Sequence, residues 1–399
     1  MLAATVRVTR DLDTAEEAVQ DAYVRALQAW PRDGVPDRPG AWLTTVARRT
    51  ALNLMRRRRT LESKLPLLIG PEEADVDPPE FAAGGAGAIP DDRLRLIFTC
   101  CHPALAPEAQ VALTLRLVCG VATPDIARAF LVAEATMAAR LTRAKKKIAT
   151  ARIPYVVPPA AELPARVDAV LTVVHLLYST GHTAPSGGDL VRADLCDRAL
   201  DLARLLRRLL PDEREAMGLH ALLLVHEARR RTRTDADGRL LRLEDQDRSA
   251  WDRGLIAEAD RLVVAALRAG PPGRFTLQAA IASLHAQAPT YEATDWPQIL
   301  TLYGELLRVW PSPVVALNRS VVVAMVDGPA AALAEVEALE DDGRLAGYHY
   351  LPATKADLLH RLGRAAEAAE AYREALALCD NAAEQAYLAE RLRSLEEPP

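Results

Sequence analysis

The segment TPDIARAFLVAEATMAARLTRAKKK, residues 123–147, decides the fold of the region around it. Thr123 and Pro124 are typical of a helix start, because threonine caps the helix and proline lacks an N–H that would stay unpaired there. A second, strongly basic helix is predicted from about Glu134 to Ala149. A short helix, a tight turn and a basic helix predict a helix-turn-helix, whose second helix fits the DNA major groove. Two packed helices with a solvated basic end are the alternative interpretation.

The first sixty residues predict two more helices, which differ in charge. The first follows a cap at Asp13 or Thr14 and is acidic. The second begins near Pro39, and from Arg38 to Arg59 the chain contains seven arginines and no acidic residue. Helical spacing predicts an apolar side on the first helix, formed by Ala15, Ala18, Val19, Ala22, Tyr23, Ala26 and Leu27.

The formal net charge of −5 over 399 residues is an average of segments with opposite sign. Residues 1–59 carry 11 basic and 7 acidic side chains, and residues 93–153 carry 10 and 3. Residues 60–92 carry 1 and 8, and residues 154–399 carry 27 and 36. The average argues against a nucleic-acid partner, whereas two basic blocks around an acidic, Pro/Gly-rich stretch predict two modules joined by a flexible linker.

Helical periodicity continues to the C-terminus, so the predicted fold class is all-α. The predicted organisation is a small module at 1–59, a linker at 60–90, the helix-turn-helix module at 91–153 and a helical extension at 154–399. Gly328 and Gly363 are 35 residues apart, a period that predicts paired helices of the tetratricopeptide type near 312–390. The four repeat helices are predicted at Val314–Val326, Pro329–Leu339, Pro352–Leu362 and Ala365–Leu378. Such repeats predict a groove for a peptide or partner helix.

Neither a disulfide framework nor a metal site is predicted. The five cysteines are few and scattered, and Cys100, Cys101 and His102 lack the ligand spacing of zinc sites, so buried reduced thiols are expected. No cofactor is predicted. No apolar run approaches the ~18 residues of a membrane-spanning helix, and the N-terminus lacks the apolar core of a signal peptide. These observations predict a cytoplasmic chain without a membrane partner.

Acid–base side chains occur in the extension, including Tyr178, His182, His220 and His226, but no catalytic motif accompanies them. We therefore predict that the chain is not an enzyme. A denser polar cluster predicts a network that holds helices together or docks the extension on the basic modules. We assign it to interdomain docking: Asp245, Gln246, Asp247, Arg248 and Trp251.

Three motifs resemble regions two and four of the sigma-70 family of bacterial RNA polymerase sigma factors, in the compact extracytoplasmic-function (ECF) arrangement. They are DTAEEAVQDAY at 13–23, PGAWLTTVARR at 39–49 and ARAFLVAEATMAARLTRAK at 127–145. FTCCHP at 98–103, LEDQDR at 243–248 and LNR at 317–319 look like an ECF subgroup with a long tetratricopeptide-like extension. Relatives usually have ten or more residues before the position of Met1, so we expect either a misassigned start codon or a first helix that is shortened.

The resemblance implies three functional surfaces. Core RNA polymerase would be bound by Asp13, Glu16, Glu17 and Asp21. The minus-ten side of promoter DNA would be contacted by Trp42, Arg48, Arg49, Arg56, Arg57, Arg58 and Arg59, although the spacing of Trp42 also suits a core position. The minus-thirty-five side would be contacted by Thr136, Ala138, Ala139, Arg140, Arg143, Lys145, Lys146 and Lys147.

The predicted function is promoter recognition and transcription initiation, regulated by the fused C-terminal domain. Core RNA polymerase and promoter DNA are the predicted partners, with a protein or peptide as a further partner of the repeats. The alternative is a helical adaptor, or a ligand-sensing protein, that a degenerate sigma module anchors to polymerase or DNA.

Overall fold

The computed structural model describes residues 1–64, 92–130, 132–159, 162, 164–184, 190–235 and 238–396. Within these ranges the chain is helical, and its β-type pairing is limited to an isolated antiparallel bridge between Thr234 and Leu240. The predicted all-α fold class is therefore confirmed. The predicted linker at 60–90 falls outside the described residues from 65 onward.

The chain divides into two compact units, and the division falls within helix α8 (Pro164–His182). The first unit comprises residues 1–127 and 132–173, and the second comprises residues 128–131 and 174–399. The helices before α8 are α1 (Leu2–Thr9), α2 (Leu12–Asp33), α3 (Pro39–Lys64), α4 (Asp92–Cys100), α5 (Pro107–Leu117), α6 (Thr123–Ala129) and α7 (Glu134–Thr150). Those after it are α9 (Ala193–Leu209), α10 (Arg214–Ala228), α11 (Arg253–Arg268), α12 (Arg274–Gln287), α13 (Trp296–Val309), α14 (Pro313–Val326), α15 (Pro329–Asp342), α16 (Tyr350–Arg361), α17 (Ala365–Leu378) and α18 (Ala382–Glu396).

Helix α2 has an alanine-rich buried side that packs against α3. Its N-cap is Asp11, whose carboxylate accepts a hydrogen bond from the Thr14 N–H at 2.7 Å. The predicted cap at Asp13 or Thr14 is wrong, because the extended backbone of Asp11 places an acceptor two or three residues earlier, where the first N–H groups need one. The buried positions of the helix are Leu12, Ala15, Ala18, Ala22 and Ala26.

Helices α6 and α7 have the lengths and the order that the helix-turn-helix prediction requires. Before them, the turn after α5 contains Gly120 at a φ of 69°, a left-handed conformation that favours glycine. Helix α7 packs against α5 through apolar residues spaced three or four apart, so its basic residues fall on the other sides. The buried residues of α7 are Met137, Leu141, Ala144 and Ile148.

The repeat helices α14 to α17 agree closely with the predicted bounds, and α17 agrees at both ends. Gly328 and Gly363 precede the second helix of each pair and adopt φ values of 93° and 76°. Successive helices pack from α13 through α18, so the flanking helices extend the core of the two repeats. Leu317, Leu358 and Leu388 belong to one apolar cluster within it.

Helices α10 and α12 come close together at Gly218. A Cβ atom at this position would lie 2.6 Å from the backbone nitrogen of Thr276, so a larger residue does not fit without movement. One turn earlier, the Glu215 carboxylate accepts hydrogen bonds from the Phe275 N–H at 2.7 Å and the Thr276 hydroxyl at 2.6 Å. Glu215 therefore supplies acceptors to the start of α12, whose first N–H groups have none within the helix.

Candidate functional site

The acidic residues predicted to bind polymerase lie along the first half of α2. Asp13, Glu17 and Asp21 are exposed, and Glu16 is half-buried. Because the buried alanines occupy the intervening positions, these carboxylates remain on the outer surface of the helix. The four residues therefore form one acidic surface.

Three exposed apolar residues extend this surface toward the C-terminal end of α2. The exposed fractions of Tyr23, Val24 and Leu27 are 52%, 51% and 76%. The prediction that Tyr23 and Leu27 belong to the apolar buried side is wrong, because Ala22 and Ala26, one position earlier, occupy that side. Alanine at every third or fourth position was the signal that could have identified the buried side. Exposed apolar residues beside acidic ones are typical of a protein-binding surface.

Lys145 of α7 bonds to this acidic surface within the first unit. Its Nζ atom lies 2.8 Å from Asp13 Oδ1 and 2.8 Å from Glu16 Oε2. Burial opposes the charge of Lys145, but the hydrogen bonds to the two carboxylates outweigh this effect and raise its pKa. A residue predicted to contact DNA thus pairs with two residues predicted to contact polymerase. Sequence reasoning missed this pairing because the partners are far apart in the chain.

Helix α3 presents the basic residues predicted for the minus-ten side. Its buried residues include Ala47, Thr50 and Ala51, which face the interior of the first unit. The exposed arginines are Arg48, Arg49, Arg56 and Arg57. Arg58 and Arg59 lie in the same helix, and their side chains fall outside the described part of the structure.

Trp42, near the start of α3, packs against Trp30 with a distance of 5.7 Å between ring centroids. Both rings are half-buried. Trp42 therefore contributes to packing and keeps part of its ring exposed. Its contact with promoter bases stays a prediction.

Helix α7 places its predicted DNA-contacting residues outside the buried apolar side. Arg140 and Lys145 are half-buried. The Nε atom of Arg143 donates to the Ala139 carbonyl oxygen at 3.3 Å, so this side chain lies along its own helix. The exposed members of the set are Thr136, Ala138, Ala139, Arg143, Lys146 and Lys147.

The residues predicted for interdomain docking contact other residues of the second unit. Asp245 pairs with Arg242 at 3.2 Å, and Asp247 accepts a hydrogen bond from the Ser249 N–H at 2.8 Å. Arg248 donates to the carbonyl oxygens of His285 and Ala288, at 2.6 and 2.9 Å. These contacts hold the loop before α11 against the end of α12.

Two further members of that cluster are buried in the same place. The Nε2 atom of Gln246 donates to the Leu241 carbonyl oxygen at 3.1 Å, and the Trp251 indole N–H donates to the Thr232 hydroxyl at 2.9 Å. The guanidinium of Arg248 lies 4.7 Å from the centre of the Trp251 ring, a cation–π geometry. A role of the cluster in interdomain docking stays a prediction.

In the part of the chain that the structure describes, His349, Cys379 and Glu384 form a group of metal-ligand types, with donor atoms within 4.8 Å of one another. The sequence did not indicate this group. Its members also contact one another directly, because His349 Nε2 lies 3.4 Å from Glu384 Oε2 and the Tyr350 hydroxyl donates to the same carboxylate. Burial raises the pKa of the Cys379 thiol to about 11, so at neutral pH the thiol is protonated and can donate as well. The Glu384 carboxylate is therefore the centre of the cluster, because it accepts from the Tyr350 hydroxyl and the Cys379 thiol and lies beside the His349 ring.

The cysteines, all of which the structure describes, are buried and outside disulfides, as predicted. Burial raises the pKa of Cys101 to about 12. Cys100 and Cys101 lie at the end of α4 and just after it, and the Cys101 sulfur lies 3.8 Å from the Thr114 hydroxyl. These thiols therefore belong to the core of the first unit.

Three family models match separate ranges of the chain. Sigma-70 region 2 matches residues 2–60, Sigma-70, region 4 matches residues 95–148, and a family of unknown function, DUF6596, matches residues 166–267. An uncharacterized protein of Rhizobium meliloti (strain 1021) is 47% identical over 403 residues, which cover all of this chain and 94% of the relative. No solved structure matches the chain.

A region 2 and a region 4, each with an exposed basic helix, define the class of sigma factors. The chain belongs to the sigma-70 family, with the ECF-type arrangement and a DUF6596 extension. Sigma regions imply binding to core RNA polymerase and promoter DNA, and proteins of this family are not enzymes. Both the resemblance and the non-enzymatic class predicted from the sequence are therefore confirmed. In the described ranges, no helix combines the length and the apolar character needed to cross a membrane.

Proposed function

We propose that the chain initiates transcription by binding core RNA polymerase through α2 and promoter DNA through α3 and α7, and that the second unit regulates this activity. The observation that carries the proposal is the amphipathic α7, which follows α6 and exposes Arg143, Lys146 and Lys147. Polymerase and promoter share the bacterial cytoplasm, so the proposal places the chain there.

The surface of α2 suits a basic protein partner with an apolar centre. Glu17 and Asp21 supply exposed negative charge, and Tyr23 and Leu27 supply exposed apolar area on the same helix. Apolar side chains bordered by charges are typical of specific protein interfaces, in which the charges steer the encounter and the apolar contacts hold it. This combination supports α2 as the polymerase-binding helix.

The exposed arginines of α3 suit the phosphate backbone. Arg48 and Arg49 are adjacent, and Arg56 and Arg57 follow two turns later. Contacts with phosphates position a protein without reading sequence. In α7 the small, exposed side chains of Ala138 and Ala139 allow the helix backbone to come close to base edges. The flanking basic residues would hold the helix there through contacts with phosphates.

The ion pairs of Lys145 support a closed form of the first unit. While Lys145 bonds to Asp13 and Glu16, those carboxylates are occupied and the Lys145 charge is neutralised locally. Polymerase binding to the acidic surface and DNA binding to α7 both require this pairing to break. We infer that the free chain holds its two binding surfaces against each other until a partner separates them.

Regulation by the second unit is supported by its organisation. Residues 174–399 include a compact set of packed helices with its own apolar cluster, outside the ranges that match the two sigma regions. A covalently linked unit acts at a high effective concentration, so even weak contacts can alter the activity of its neighbour. The repeat helices would offer a groove to a protein or peptide partner.

Run-off transcription tests the proposal with the full chain, core polymerase and a promoter taken from chromosomal DNA that co-purifies with the chain. We expect transcription from the natural chain and its loss in the double variant Glu17→Lys and Asp21→Lys, which reverses two exposed charges. Asp341→Lys, an exposed reversal at the end of α15, is the matched control and should leave transcription intact. Absence of transcription from the natural chain, or equal losses in both variants, would contradict the polymerase assignment.

Cleavage tests regulation. A specific protease site is placed between His182 and Ala193, and the folded chain is cleaved and its fragments are separated. Transcription should change after separation, with an increase indicating inhibition and a decrease indicating assistance. Unchanged transcription from an N-terminal fragment that stays helical by circular dichroism would exclude regulation by the second unit.

A further inference from the structure

The second unit contains a cavity of about 390 Å³ among helices α10, α12, α13 and α14. This volume falls within the range of roughly 300–1,000 Å³ that is usual for small-molecule sites. Apolar side chains such as Val225 and Ile281 line part of the wall, and the rings of Trp251 and Tyr303 line another part. The cavity can therefore hold a small organic molecule with an apolar or aromatic body.

The charge in the wall belongs to Arg229, at the end of α10. Its Nη2 atom lies 3.3 Å from Nδ1 of His226, and no carboxylate contacts it among the residues that the structure describes. The neighbouring acid Glu227 is paired with Arg230 instead, at 3.0 Å. The charged groups that act on Arg229 are Arg233 and Arg248, which have the same sign.

This positive charge persists at neutral pH. Burial, together with the charge of Arg233, lowers the pKa of Arg229 to about 10, which still leaves the guanidinium protonated. Arg229 is half-buried, and a charge without a counter-ion is unfavourable there, because the protein replaces part of the water that would solvate it. Among the residues that the structure describes, the cavity wall therefore contains the cation of Arg229 and no carboxylate that pairs with it.

Two histidines beside Arg229 add polar groups without adding negative charge. A guanidinium only donates, so Nδ1 of His226 accepts, and the neutral ring carries its proton on Nε2. Burial and the charges of Arg229 and Arg233 lower the pKa of His226 well below its ordinary value, which keeps the ring neutral. The Nδ1 atom of His285, also in the wall, is buried without a hydrogen-bond partner among the described residues.

We propose that this cavity binds a small organic anion, whose oxyanion group bonds to Arg229 and whose apolar body packs against Trp251 and Tyr303. A carboxylate and a phosphate ester share this chemistry, since guanidinium pairs with both through two parallel hydrogen bonds. The neutral His226 ring lies beside Arg229 in the same wall and adds no negative charge that would repel the anion. The inference concerns the second unit alone and does not depend on its role in transcription.

The full chain can be tested with benzoate and phenyl phosphate as probes and benzamide as the neutral counterpart of benzoate. We expect at least one anion to bind in titration calorimetry and to raise the unfolding temperature, whereas benzamide does neither. The stronger of the two anions identifies the oxyanion class. Equal binding of benzamide, or no binding of either anion, would overturn the proposal.

Substitutions locate the site. Arg229→Gln should lower the affinity for the anion about tenfold to a hundredfold, which is the loss expected when one charged hydrogen-bonding partner is removed. Arg231→Gln removes an exposed arginine two residues away, outside the cavity wall, and should leave binding unchanged. Equal weakening by both substitutions would indicate a general charge effect and refute the assignment.

Chemical modification of the natural chain gives a result that does not depend on how a variant folds. An arginine-specific dicarbonyl reagent is applied with and without the bound anion, and modified peptides are quantified by mass spectrometry. The anion should protect Arg229 and leave Arg231 reactive. Equal modification of Arg229 in both samples would refute the site.

Discussion

Replacing Lys145 with alanine should raise the affinity of the chain for core RNA polymerase. Lys145 and Glu16 are 24% and 20% exposed and 2.8 Å apart, so their ion pair is partly shielded from water. Charged hydrogen bonds of this kind contribute about 1–2 kcal/mol. Asp13 is 71% exposed, and its pair with Lys145 contributes less than about 1 kcal/mol. Removing both ion pairs would lower the free energy that favours the closed form by about 2 kcal/mol. The apparent affinity for core polymerase would then rise by roughly tenfold to thirtyfold.

The assay is fluorescence anisotropy of labelled full-length chain titrated with core polymerase, without DNA, at low and high salt. Lys146→Ala is the matched control, because Lys146 is exposed, adjacent and outside the ion pairs. The gain in affinity of Lys145→Ala over the natural chain should be smaller at high salt, because salt already weakens the Lys145 ion pairs of the natural chain. Equal affinities for the two variants, or weaker binding by Lys145→Ala, would refute the closed arrangement.

Three further results are expected. Gly218→Ala should destabilise the second unit by about 3 kcal/mol in urea unfolding, because its Cβ would meet the Thr276 backbone, whereas Gly304→Ala, in open space on α13, should be neutral or stabilising. Arg48→Ala with Arg49→Ala should lower the salt slope of promoter binding by about 1 to 2, and an unchanged slope would exclude their phosphate contacts. Burial and the charges of Arg207 and Arg204 lower the pKa of His220 from 6.5 to about 4. Between about pH 6.5 and 4, the His220 imidazole therefore binds a proton in the unfolded chain and stays neutral in the folded one. His220→Leu should therefore remove about 2 kcal/mol of the stability loss between about pH 7 and 5, measured by urea unfolding, and an equal loss in both chains would contradict this.

Local signals explain why the helices could be predicted. Helix α17 spans Ala365–Leu378 as predicted, because Gly363 marks the turn before it and alanine, leucine and glutamate all favour helix. The same holds for α7, where apolar residues at helical spacing coincide with the buried positions. At the start of α2, Asp11, Asp13 and Thr14 could each have capped the helix. Only the backbone conformation of Asp11 decides among them.

The contacts that shape the site depend on residues far apart in the chain. No periodicity relates Lys145 to Asp13, because their elements are separated by most of the first unit. The exposed position of Leu27 likewise depends on which side of α2 meets α3, and small alanines rather than the larger apolar residues make that contact. The anion cavity combines residues of four helices with Leu243 and Trp251 from the segment between α10 and α11, so no spacing within a single segment indicates it.

The two roles of Lys145 have a thermodynamic consequence for the order of assembly. The ammonium group of Lys145 bonds to Asp13 and Glu16, and the charges of these two carboxylates would repel a DNA phosphate that approached it, so contact with DNA competes with the ion pairs. Whichever partner binds first breaks the ion pairs. The second partner then binds without having to supply the free energy that breaking them requires. By linkage, polymerase and promoter should therefore increase each other's affinity for the chain by the same factor. We expect the free chain to bind its promoter weakly and to discriminate among promoters only as part of the holoenzyme.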